Sequence, residues 1–243
     1  MSRPEERSYD PASQKMIKKA QDEDIKITWD RYDAMQPQCG FGELGICCKI
    51  CNMGPCRIDP FGEGPEVGVC GATKDTIAAR NLARMIAAGT AAHSDHARDV
   101  ANTLIMAAKG ETHDYALKST DKLKRVARVY GIDIAGKSTE KIGEELGEKC
   151  LAEFGQQRGN LRLISLAPKK RQQLWEKAGI VPRSIDREVV ELMHRTTMGV
   201  DNDYKNIIKQ GMRTSLADGW GGSMIATEIQ DILLGAPLPI RAT

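Results

Sequence analysis

Cys39, Cys47, Cys48, Cys51, Cys56 and Cys70 fall within 32 residues, in the glycine- and proline-rich stretch QCGFGELGICCKICNMGPCRIDPFGEGPEVGVCGA. Thiols at this density are held together by disulfides, by zinc or by iron–sulfur clusters. The seventh cysteine, Cys150, stands alone, and an odd count fits poorly with a purely disulfide framework. The start, MSRPEERSYDPASQK, is charged on both signs and has no apolar run, so it does not read as a secretory signal. A cytoplasmic setting is expected, where disulfides rarely persist. A metal centre is the better reading.

Within the stretch, Cys48-x2-Cys51-x4-Cys56-x13-Cys70 supplies four thiolates. Two thiolates three positions apart reach one centre from a tight turn, Gly54-Pro55 redirects the chain, and a longer loop returns the fourth. Four cysteines are the usual complement of a [4Fe–4S] cluster. Zinc remains the structural alternative, but a zinc ribbon carries a second CxxC ~15–20 residues on, and none is present. Cys47 and Cys48 are adjacent, and neighbouring side chains of an extended segment point to opposite sides. Cys47 is therefore left over, with Cys39. Two thiolates are half of a four-thiolate site, and a twofold axis completes it with the same pair from a second copy. The expectation is an obligate homodimer bridged by a shared cluster.

The elements that must position these thiols are almost all helical. Residues 11–24 open on a proline suited to a first turn. The spacing predicts a helix from Thr73 to Ala88 closed by Gly89, then a second from Thr90 to Ala108. Ser119 and Ser138 or Thr139 are N-cap signals, and Gly131 and Gly155 are stops. LRLISLA, residues 161–167, alternates like a short strand. Helical periodicity resumes in PKKRQQLWEKAG, in DREVVELMHRTTMG and in two segments between Asp201 and Leu234. The expected fold class is mainly α, one helical domain over 1–243 with an irregular cysteine loop at 36–72.

Composition excludes other classes. Lys plus Arg is 35 against 33 for Asp plus Glu, a net charge of +2, with no concentrated basic patch for nucleic acid. No run approaches the ~20 apolar residues of a transmembrane segment.

The run QPQCGFGELGICCKICNMGPCRI, followed by GVCGA, resembles the N-terminal region of the anaerobic nickel–iron carbon monoxide dehydrogenases. The likeness continues through IAAGTAAHSDHARDVA, MHRTTMGVDND, SLADG and DILLGAPLPI. The related hybrid-cluster branch arranges its N-terminal cysteines differently, and the CysCys pair with GPCRI argues against it.

The resemblance implies that Cys48, Cys51, Cys56 and Cys70 hold an intrasubunit [4Fe–4S] B-cluster. It implies that Cys39 and Cys47 hold a D-cluster, [4Fe–4S] or [2Fe–2S], bridging two subunits. Family members oxidise CO with water to CO2, two protons and two electrons, which leave through these clusters to a ferredoxin-like acceptor. An acetyl-CoA synthase partner and peripheral membrane attachment through partners are left open. The nickel–iron–sulfur C-cluster is bound in later Rossmann-like α/β domains, so its ligands are expected beyond Thr243 and the chain alone is expected to be inactive.

His93 matches a family histidine beside the C-cluster, an acid/base or hydrogen-bond donor, and His96 sits one step along a proposed proton path. The next two positions of that path are Asp99, which can carry a proton, and Asn102, which cannot titrate. The alternatives of other classes are a stand-alone iron–sulfur carrier and a zinc-stabilised structural module. Cys150 reads as a buried thiol, His113 and His194 as surface or packing residues, and Lys169-Lys170-Arg171 as a solvated face. Trp175 and Trp220 read as core or interface filling. Arg57, next to Cys56, reads either as an offset to cluster charge or as a surface residue.

Overall fold

The computed structural model describes residues 3–236, which are mainly helical; the PLPI end of the DILLGAPLPI likeness, from residue 237 on, lies outside them. The chain begins with α1 (Pro4–Arg7), α2 (Pro11–Asp22) and α3 (Thr28–Ala34), none of which buries a residue. Asp10 opens α2 by accepting from the Ser13 amide at 2.7 Å. Arg7 ties the arm together, lying over the rings of Trp29 and Tyr32 and pairing with Asp33. The cysteine segment follows as α4 (Gly40–Glu43) and a two-stranded antiparallel ribbon, β1 (Cys47–Cys48) with β2 (Cys56–Arg57). Its register sets Cys47 opposite Arg57 and Cys48 opposite Cys56.

The axis of the fold is α5 (Lys74–Ala108), capped by Thr73, whose hydroxyl accepts from the Thr76 amide. Around it pack α7 (Thr139–Gly155), α9 (Ile185–Arg195), α10 (Tyr204–Ala217) and α11 (Ser223–Leu234). The remaining helices are α6 (Thr120–Val129), which precedes α7, and α8 (Lys169–Ala178), which precedes α9. A π-helical turn, Asp218–Gly222, joins α10 to α11. No described helix is long and apolar enough to cross a membrane.

The packing changes character along α5. Its C-terminal half, with Ala97, Ala101 and Leu104, enters the main core beside Leu123, Leu146, Ile185 and Ile229. Its middle offers small residues, Ala79, Ala83 and Ala87, to Leu192 and Ile207. Its first turn places Ile77 in a separate cluster with Cys48, Ile58 and Ala72. The α5–α7 contact is close: a Cβ on Gly147 would fall 2.4 Å from Ile105 Cγ1.

Two expected boundaries are corrected. Gly89 does not end a helix, because α5 runs through it unbroken. The buried stripe continues on one face across the glycine, through Ala83, Ala87, Thr90, Ser94, Ala97 and Ala101. A mid-helix glycine costs only ~1 kcal/mol, which burial of that face outweighs. Residues 161–167 are not a strand but a 3-10 turn, Arg162–Leu166. Among the described residues the only sheet is the β1–β2 ribbon, so a strand here would have no partner. The turn still buries Leu161, Leu163 and Ile164, while Glu153 accepts from the Arg162 amide at 2.5 Å.

Candidate metal centre

Cys48, Cys51, Cys56 and Cys70 line one narrow pocket. Cys48 comes from the buried side of β1 and Cys56 from β2, so the ribbon register places them opposite each other. Cys51 lies in the turn between the strands. Cys70 is delivered by a tight loop: Val67 bridges Thr73, the Gly68 amide donates to Ala72 O at 2.8 Å, and the Gly71 amide to Gly68 O at 2.8 Å. Gly68 itself faces the thiols, and a Cβ there would meet Cys56 Cβ at 3.3 Å and Sγ at 3.4 Å. All seven cysteines are free thiols. Among the described residues no three His, Cys, Asp or Glu donors close on a single-ion point; the four sulfurs border a space.

One wall of the pocket is a buried cation. Arg80, 1% exposed, brings Nη1 to 3.5 Å from Cys70 Sγ. Its Nη2 donates to Asp201 O at 3.1 Å and Asn202 Oδ1 at 2.8 Å. Asn202 returns to the loop, its Nδ2 donating to Cys70 O at 3.2 Å, and Thr76 Oγ1 donates to Asn202 O at 2.7 Å. The segment between α9 and α10 therefore folds over the cysteines, adding Met198 to the lining. Burial acts to raise the Cys70 thiol, but the Arg80 hydrogen bond and charge, with the Ala72 amide, hold it below the usual thiol range.

Cys39 and Cys47 are outside this pocket. Cys39 is exposed, and the amides of Gly42 and Phe41 lower its thiol pKa. Cys47 is half-buried on the other face of β1, and its carbonyl accepts from Asn81 Nδ2 at 3.2 Å. Arg57 is exposed and lies over the Phe41 ring, 5.7 Å from its centroid.

His93 and His96 are exposed on α5. His93 Nδ1 lies 2.8 Å from Asp218 Oδ1 and 3.3 Å from Ser223 Oγ, and Ser223 donates to the same carboxylate oxygen at 2.7 Å. Because a carboxylate only accepts, Nδ1 carries the hydrogen and Nε2 is left as the acceptor. The π turn brings Asp218 this close: a Cβ on Gly222 would meet His93 O at 3.1 Å. His96 Nε2 faces Gln230 Nε2 at 3.3 Å. Asp99 and Asn102 are exposed further along α5. His113 and His194 are exposed too, Lys169, Lys170 and Arg171 face solvent, and Trp175 packs on Trp220 with centroids 5.9 Å apart.

A family model described as the Prismane/CO dehydrogenase family matches residues 46–243, most of the chain. The chain belongs to that family. Carbon monoxide dehydrogenase 1 of Methanosarcina mazei is 59% identical over 238 residues, covering 98% of this chain and 38% of that protein. The as-isolated, Ni-free crystal structure of carbon monoxide dehydrogenase from Thermococcus sp. AM4 matches with a TM-score of 0.89 at 55% identity. That match covers 96% of this chain and 37% of the other. A solved acetyl-CoA synthase/carbon monoxide dehydrogenase, described by NiZn[Fe4S4] and NiNi[Fe4S4] clusters in its α subunits, matches with a TM-score of 0.86 at 40% identity. That match covers 96% of this chain and 35% of the other. The chain thus spans well under half the length of the relatives it matches.

In this member of the Prismane/CO dehydrogenase family, sequence reasoning reached the thiols and His93 but missed what surrounds them. Arg80, Asn81, Asn202, Asp218 and Ser223 carry the polar contacts. Asn202 and Asp218 act on partners more than 120 residues away. The one signal available was the co-occurrence of MHRTTMGVDND and SLADG with the cysteine run.

Proposed function

We propose that this chain is the iron–sulfur electron-relay and dimerisation part of a nickel-dependent carbon monoxide dehydrogenase, whose reaction takes CO and water to CO2, two protons and two electrons. The observation that carries the reading is the split of six thiols into four around one pocket and two outside it. The donor set fits: Cys48, Cys51, Cys56 and Cys70 would ligate a [4Fe–4S] B-cluster, Ile77 and Met198 would keep water away, and Gly68 leaves room beside Cys56. A cluster so held supplies one-electron redox chemistry. Cys39 and Cys47, with the same pair of a second copy, would hold the bridging D-cluster near the surface, where a ferredoxin-like acceptor can approach in the cytoplasm. The C-cluster ligands belong to the remainder of the longer family members, and an acetyl-CoA synthase partner is consistent with the two-enzyme relative.

In the complete enzyme His93 takes up or donates a proton at Nε2, with Asp218 fixing its tautomer, and His96 continues the path. Asp218→Asn presents an amide to Nδ1 and disfavours that tautomer. Turnover is expected to fall with Asp218→Asn and further with His93→Ala, with unchanged iron–sulfur spectra. Unchanged turnover in both removes the assignment.

Iron and labile-sulfide analysis beside light scattering tests the whole reading. A dimer with roughly six irons per chain is expected for a four-iron bridge, or roughly five for a two-iron bridge. A colourless protein holding stoichiometric zinc overturns the reading. A monomer with roughly four irons overturns the bridge alone.

A further inference from the structure

Arg80 is the largest fully buried side chain among the described residues, yet it has no carboxylate partner there. Its Nη2 is spent on the neutral oxygens of Asp201 and Asn202, its Nη1 faces Cys70 Sγ, and its Nε has no hydrogen-bond partner. A buried cation without a counter-charge is costly, so its complement must be close by. The space Arg80 lines is the four-thiol pocket. Four thiolates around iron and sulfide carry net negative charge, and reduction adds one more unit. Arg57, beside Cys56 in sequence, is exposed and cannot serve in the same way.

We propose that Arg80 is the fixed counter-cation of the four-thiol site and raises its reduction potential, with Asn202 as a positioning residue that holds the guanidinium against Cys70. The proposal rests on the iron–sulfur reading. A buried positive charge stabilises the reduced, more negative state over the oxidised one, and low local dielectric strengthens the effect. Arginine suits the position because its planar fork lets one nitrogen be anchored while another faces the sulfur.

The test uses this chain with Cys39→Ser and Cys47→Ser, so that the pocket is the one proposed cluster site, in EPR-monitored redox titrations with parallel iron analysis. Arg80→Gln is expected to bind the parent's iron but to shift the oxidised-to-reduced ratio at fixed potential at least tenfold toward oxidised, about 59 mV for a one-electron couple. Arg80→Lys is expected to recover most of that shift. Asn202→Asp, which sets a carboxylate against Nη2 and cancels the charge in place, is expected to shift it in the same direction as Arg80→Gln. Iron-loaded Arg80→Gln or Asn202→Asp with the parent potential overturns the proposal. Loss of iron from all three variants also overturns it, placing Arg80 in assembly of the site. A parent that binds no iron defeats the iron–sulfur reading instead.

Discussion

Cys70 lies in the loop before α5, and Cys150, on α7, lies in the core that the C-terminal half of α5 enters; their surroundings push the two thiols in opposite directions. At Cys70, burial opposes ionisation, but Arg80 and backbone amides outweigh it and draw the group toward thiolate. At Cys150, 1% exposed among the aliphatic side chains of the main core, burial pushes the thiol up to about 12. The Glu153 charge adds to that rise, and the Tyr130 hydroxyl offsets only part of it. The half-buried Cys70 and the fully buried Cys150 thus differ both in burial and in their polar partners. Cys70 has a cation and backbone N–H groups beside it, whereas Cys150 has a carboxylate and a hydroxyl.

Exchanging one sulfur at each end is the most forceful way to break this contrast. On the proposed cluster assignment, Cys56→Ser is expected to lose roughly four irons per chain, while Cys150→Ser keeps all of them. Equal losses would erase the distinction between the two thiols. A smaller effect separates pocket from core. Gly147→Ala drives a methyl into Ile105 and is expected to cost about 1–3 kcal/mol, with a melting temperature lower by roughly 2–4 °C per kcal/mol. Iron content should be unchanged, because the pocket is braced at the other end of α5; iron loss in step with stability would show one cooperative unit.

The smallest effect is set by pH. Glu153, 3% exposed, accepts from Tyr130 Oη at 2.9 Å and from the Arg162 amide, and burial raises its carboxyl above 4.5. As pH rises from about 4.5, the unfolded chain gives up this proton before the native one does, so native stability falls until Glu153 itself ionises. Glu153→Gln keeps an acceptor for Arg162 and a donor for Tyr130 without that dependence. Its melting temperature should match the parent below about pH 4.5 and exceed it above, by a margin that grows until Glu153 itself ionises. A gap that is flat with pH would mean that folding leaves the titration of Glu153 unchanged, and a less stable variant at neutral pH would assign Glu153 a net favourable charge.

What was legible in the sequence is what acts locally. The spacing of Cys48, Cys51, Cys56 and Cys70 separates the pocket thiols from Cys39, and Thr73 and Ser138 cap the helices they open through bonds three residues long. Arg80 was illegible because a long cation among alanines on a helix reads as a surface position until the fold closes a loop over it. Asp218 was illegible for the related reason that its partner is 125 residues distant. Gly89 and residues 161–167 misled because local propensity and alternation were overruled by burial, of a continuous α5 face in one case and of Ile164 beside Leu163 in the other.

The unbroken run of α5 through Gly89 makes it a ruler. Thirteen residues separate Arg80 from His93, a helical rise of about 20 Å that no loop movement can alter. The cation beside the four-thiol pocket and the histidine paired with Asp218 are thus mounted at fixed spacing and fixed azimuth on one rod. Inserting a single residue at Gly89 would lengthen the interval by only about 1.5 Å yet rotate one site about 100° relative to the other. The glycine that looked like a break between two helices lies within the stretch where register between the two sites is kept.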